Sequence, residues 1–161
     1  MLQLAQATTL VAATLMTGLM AGLFYAFSCS VMPGLRRTDD RTLVTTMRAI
    51  NAAILNGWFA LVFGGALLLT ASAAALHLTG DRHTALPWIL AGLVFYLVTL
   101  GVTGRVNVPL NNQLQAARTE TDEGLWAART GFEVTWNRWN PVRSVSNTAA
   151  FAALAMALYV H

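Results

Sequence analysis

Lysine is absent from this 161-residue chain, cysteine occurs once, and only 11% of the residues are charged. A typical soluble domain carries roughly 25% charged residues, so too few charges exist here to cover a water-facing surface. The single cysteine, Cys29, excludes an intramolecular disulfide and any cysteine-based metal site. All ten cations are arginines, for a net charge of +3, and they sit between apolar stretches rather than in a basic stripe. That placement points to lipid headgroups and away from nucleic acid. No pair of histidines has metal-ligand spacing, no glycine-rich phosphate loop follows a strand, and no serine–histidine–acid set is readable. A charged start and a small-residue cleavage pattern are also missing from the N-terminus. The first apolar run is therefore expected to be a retained span.

What is present is apolar residue in long runs, 56% of the chain. Each run approaches the ~20 residues that cross a bilayer core. Spans are expected over about 4–32, 58–78, 86–106 and 141–160. Pro33-Gly34 is expected to stop the first, and Asn107-Val108-Pro109 to break the third. After the first span, Thr38 is a candidate cap, with Asp39 and Asp40 suited to a first helical turn. Leu43, Met47, Ile50 and Ile54 share a face of the amphipathic helix that follows. Thr121-Asp122-Glu123 reads as another helix start. The expectation is one domain, 1–161, an all-α integral membrane four-helix bundle with short amphipathic helices in two cytoplasmic loops.

The arginines give an orientation. Arg36, Arg37, Arg41 and Arg48 follow span one; Arg105, Arg118, Arg129, Arg138 and Arg143 follow span three; Arg82 alone lies on the other side. The positive-inside rule then puts both rich loops in the cytoplasm and both termini outside.

Polar residues at membrane depth are costly unless they face the interior. Gly92, Tyr96, Thr99, Thr103 and Asn107 share one face of span three. Thr14, Gly18, Ala21, Tyr25, Ser28 and Met32 share one face of span one. The two stripes could line a cavity. The small residues equally serve helix packing, within one chain or between chains, which leaves a homo-oligomer open. Tyr25 and Tyr96 are either buried with a partner or interfacial anchors. The densest set is Trp136, Trp139, Asn140 and Arg143, all on one helical face: two aromatic walls, an amide and a fixed charge. It suits a flat aromatic ligand bearing an oxyanion. Alternatively the tryptophans form an interfacial belt, and Asn140 caps a helix that has Pro141 in its first position. Asn51, Asn107, Asn111 and Asn112 belong to the same membrane face. Glu133 is the carboxylate closest in sequence, a candidate base or else an ion-pair partner of Arg129.

The blocks 18–27, 31–35, Ala49-Ile50-Asn51, 107–111 and 136–143, in that order, resemble the anthrone oxygenase family. The resemblance implies a membrane oxygenase, a monooxygenase-type oxidoreductase of a bacterial cytoplasmic membrane. It would take a phenolic polycyclic substrate to a quinone with molecular oxygen and no evident cofactor or metal. On this expectation Arg143 and Asn107 hold an oxyanion, and Trp136 and Trp139 wall the rings. Asn140, Asn111, Asn51 and Thr103 complete the substrate site, and Glu133, Tyr25 or Tyr96 moves the proton. The alternative is a non-catalytic membrane protein that binds a lipid, quinone or other aromatic small molecule.

Overall fold

The computed structural model describes residues 1–79 and 84–161. The expected outer turn, with Arg82 and His83, falls largely outside them. Five helices make up the described chain: α1 Leu2–Leu35, α2 Asp40–Ile54, α3 Gly57–His77, α4 Leu86–Ala116 and α5 Asp122–Val160. No strand occurs among the described residues. α1 packs on α3 and α5, and α4 packs on the same two, so four helices close a ring. Neighbours run antiparallel. Near the start of α1, Gln6 donates to the Leu76 carbonyl at the end of α3 (2.8 Å). Further along α1, Ser28 meets Ser144 of α5 (2.8 Å). α2 lies across one end, against α5 and the last turns of α4.

Helices α1, α3 and α4 are long and apolar enough to cross a bilayer, which fits a membrane-associated chain. α5, whose second half was expected to be the fourth span, is not among them. Arg143, Ser144, Ser146 and Asn147 lower its apolarity, yet all four are buried inside the bundle. A helix that turns polar groups toward its neighbours does not have to be apolar on every face.

Local signals explain the helix ends. Asp39, rather than the expected Thr38, caps α2, accepting from the Thr42 amide (2.8 Å) and hydroxyl (2.9 Å). Thr38 instead bonds back to the Leu35 carbonyl and finishes α1 (2.7 Å). Asn56 caps α3 and Thr121 caps α5. Arg48 closes the end of α4, donating to the carbonyls of Leu114 (2.9 Å) and Ala117 (2.6 Å).

Pro33 and Pro109 do not break their helices as expected. Each follows a π-helical turn, Phe27–Val31 in α1 and Thr103–Asn107 in α4. A helical proline clashes with the carbonyl four residues earlier. Those carbonyls, of Cys29 and Arg105, lie inside the widened turns, where the ladder is already displaced. Pro141 likewise starts no helix, because α5 runs unbroken through it.

The α4–α5 seam is tight. A Cβ on Gly92 would sit 3.0 Å from Leu154 Cγ and 3.4 Å from the Ala150 carbonyl. Gly18 meets the Phe151 ring of its own chain in the same way, whereas Gly22 faces open space. Gly92→Val is expected to destabilise the bundle by about 1–3 kcal/mol through overpacking. A lowered melting temperature in detergent is the readout, and an unchanged one would show that the seam gives way freely.

Candidate binding cavity

At the arginine-rich end the helices enclose a cavity of about 350 Å³, within the size range that takes drug-sized ligands. Both π-helical turns reach it, Phe27 from one and Thr103 and Asn107 from the other. Such turns recur at functional sites because they re-aim side chains that a regular helix would stagger past one another. Phe59 and Phe63 of α3, stacked at 5.2 Å, supply an apolar wall. Trp136, packed on Phe27 (5.6 Å) and Phe132 (5.8 Å), supplies another. The exposed residues on the lining, among them Leu55 (82% exposed), Asn112 and Gln115, mark the mouth between the end of α2 and the end of α4.

Arg143 dominates the electrostatics. It is 6% exposed, and its guanidinium lies over the rings of Phe24 (4.6 Å) and Trp136 (5.2 Å). Nη2 donates to Asn140 Oδ1 (2.6 Å), and Nε finds no partner among the described residues. No carboxylate pairs with it there either. Asn140 is fixed in turn, donating to Ser28 Oγ (2.7 Å) and to the Phe24 carbonyl (3.3 Å), which also accepts from Ser144 (2.8 Å). The amide therefore acts as a bracket that holds Arg143 against α1.

Asn107 is fully buried, and neither of its amide atoms is bonded among the described residues; Asn51 Nδ2 and Thr103 Oγ1 are also unpartnered. Buried polar groups are nearly always paired. Four orphaned residues around one cavity, Arg143 included, point to a ligand or water that satisfies them. Asn111 differs, because its Oδ1 accepts from the Trp136 indole (2.9 Å) and fixes that ring. Asn147, one turn beyond Arg143, is a further buried amide with both atoms unpartnered.

The structure thus brings Arg143, Trp136, Asn107, Asn111, Asn51 and Thr103 to one cavity and leaves other candidates outside it. Trp139 is 36% exposed and borders a separate groove with Val94 and Leu97. In a helix it lies about 60° from Trp136, enough to turn it out of the cavity. Tyr25 is 60% exposed on the outer face of α1. Tyr96 is buried, but its hydroxyl donates to the Phe63 carbonyl of α3 (2.7 Å). Glu133 accepts from Arg129 Nε (2.6 Å) and lies 3.5 Å from Arg36. Arg129 also donates to the Thr38 carbonyl (2.8 Å) and Asp40 (3.0 Å), so the cluster ties α5 to the α1–α2 link. The hydrogen bond to Glu133 holds the Arg129 pKa above its usual value, with burial opposing and Asp40 adding to the rise. Glu133→Gln is accordingly expected to lower thermal stability, as melting measurements would show.

Phe24, Phe59 and Phe63 were not singled out from the sequence. Phe24 and Phe27 at a three-residue step were the available signal in α1. In α3 nothing distinguishes the cavity face, since the helix is apolar on every side. Among the described residues no group of three histidine, cysteine or carboxylate side chains could hold a metal.

Fold and cavity together define a helical membrane-type bundle with an aromatic pocket built around one buried arginine. The model of the anthrone oxygenase family matches residues 56–153, so the chain belongs to that family. The match spans α3, α4 and most of α5, and so covers Thr103, Asn107, Asn111, Trp136 and Arg143. No curated protein and no solved structure matches the chain.

Proposed function

We propose that the chain is a membrane oxygenase that converts a ring-flanked methylene of a phenolic polycyclic substrate into a carbonyl. One oxygen molecule supplies the new carbonyl oxygen and leaves its second atom in water, so the balance is R2CH2 + O2 → R2CO + H2O. The observation that carries this reading is the Arg143 guanidinium at the wall of an apolar, aromatic cavity, with no carboxylate paired to it among the described residues.

The chemistry needs an electron-rich enolate. Loss of a proton from the methylene spreads negative charge onto the carbonyl opposite, and the enolate can pass an electron to oxygen. On this reading Arg143 and the Asn107 amide hold that oxyanion, while Trp136, Phe59 and Phe63 flank the rings. Asn111 and Asn140 are positioning residues, one for Trp136 and one for Arg143. No step in this scheme calls for a metal or organic cofactor. The arginine-rich end, with the cavity mouth, faces the cytoplasm of a bacterial cell and both termini face outward, on the positive-inside rule.

Oxygen uptake by the purified chain with an anthrone tests the proposal. Uptake well above the spontaneous rate, with anthraquinone formed one-for-one, is the expected result. Saturable binding without added uptake would replace the oxygenase by a binder of lipids, quinones or similar aromatics.

A further inference from the structure

We infer that the cavity takes its ligand as an aromatic oxyanion that is already ionised, and that no described side chain serves as its base. The inference deepens the proposed function and rests on the same cavity. Every helix contributes neutral side chains to the lining: Phe27 from α1, Asn51 from α2, Phe63 from α3, Asn107 from α4 and Trp136 from α5. Arg143 is the one titratable side chain among the described lining residues.

The acids at this end of the bundle are occupied or remote. Glu133 and Asp40 are bound by Arg129, and Asp39 caps α2. Asp122 lies on the surface beside Arg41, and Glu120 and Glu123 are exposed. The Tyr96 hydroxyl is committed to the Phe63 carbonyl, and Tyr25 faces outward. Arg48 is committed to the end of α4. Among the described residues, then, the charge facing the cavity is a single positive one.

A buried cation without a counter-ion is costly, and an anion that enters offsets that cost. The same attraction favours the ionised form of an acidic ligand over its neutral form. The proton is released to water at the mouth, where Asn112 and Gln115 are exposed, rather than to a carboxylate within. The aromatic character of the anion follows from the walls, two of whose rings, Phe24 and Trp136, already stack on the guanidinium. The apparent affinity for a weakly acidic ligand should therefore rise with pH through the ligand's own pKa and then level off. Its midpoint should move with the ligand and not with the protein.

The test is an optical titration of the full chain in detergent with a monohydroxyanthraquinone, whose colour reports its own ionisation. The ionised form is expected to bind about tenfold or more tighter than the neutral form. Arg143→Met should remove this preference, and Arg143→Lys should keep part of it. The unmodified chain decides the matter even if a variant fails to fold. Equal affinity for both forms, or preference for the neutral phenol, would overturn the inference. So would a long-chain fatty acid that binds tighter than the phenolate, because the site would then be one for lipid carboxylates. The readout needs no turnover. An ionised probe bound by a chain that oxidises no anthrone would refute the oxygenase alone, and oxygen uptake with no preference for the ionised probe would refute this inference alone.

Discussion

Arg143→Met is expected to lower turnover of an anthrone by about 10²–10³-fold, the usual loss when one oxyanion donor is removed, without lowering the melting temperature. The two effects have separate origins. In the folded chain the Arg143 charge is withdrawn from water, and among the described residues two aromatic faces and one amide offset it. Cation–π contacts contribute about 0.5–2 kcal/mol each, whereas desolvating an unpaired charge costs several kcal/mol. Methionine fills much of the same space and carries no charge, so the fold loses little and sheds that penalty. Its one debt is Asn140 Oδ1, which loses its donor. A residue retained at a cost to stability is held for what it binds. Oxygen uptake and thermal melting on one preparation separate the cases. A variant that loses stability and activity together would make Arg143 a structural residue. Arg143→Lys keeps the charge and should keep only part of the turnover, because an ammonium lacks the planar guanidinium that reaches both Phe24 and Trp136.

The features that carried well from sequence to structure were chemical ones. Asparagine has no apolar role, so four of them on one membrane face had to meet something, and Asn51, Asn107, Asn111 and Asn112 all line the cavity. Stripes read from helical spacing were less reliable. α1 is apolar on nearly every side, so its sequence barely indicates which face is buried; Phe24 turned inward and Tyr25 outward. The π-turn at Phe27–Val31 adds a further rotation that regular spacing cannot anticipate. The same local widening let Pro33 and Pro109 stay helical, where a proline normally signals an end. In α4, where polar groups mark the face, Gly92, Tyr96, Thr99 and Asn107 are all buried. Trp139 was misplaced for a simpler reason: a three-residue step sits at the edge of a helical face, and the edge here looks outward.

Asn107→Leu should raise the stability of the ligand-free chain by about 1–3 kcal/mol and weaken binding of a phenolate probe by about tenfold or more. Asn107 is fully buried at the end of the α4 π-turn, and both its amide atoms lack a partner among the described residues. A buried amide in that condition forfeits its hydration and gains nothing within the fold. Leucine, of similar size, removes the penalty and leaves an apolar wall. The ligand loses in exchange a donor and an acceptor in the cavity that Arg143 also lines. Thermal melting with and without probe reads both terms, since a bound ligand stabilises the fold in step with the logarithm of its free concentration over Kd, so a weaker ligand raises the melting temperature less. The expected pattern is a higher baseline and a smaller ligand-induced rise. Asn111→Leu is the contrast, because it strips the Trp136 indole of its acceptor and should lower the baseline. If Asn107→Leu melted lower than the parent chain, its amide would be satisfied within the fold, and the cavity would lose one of the groups proposed to meet the ligand.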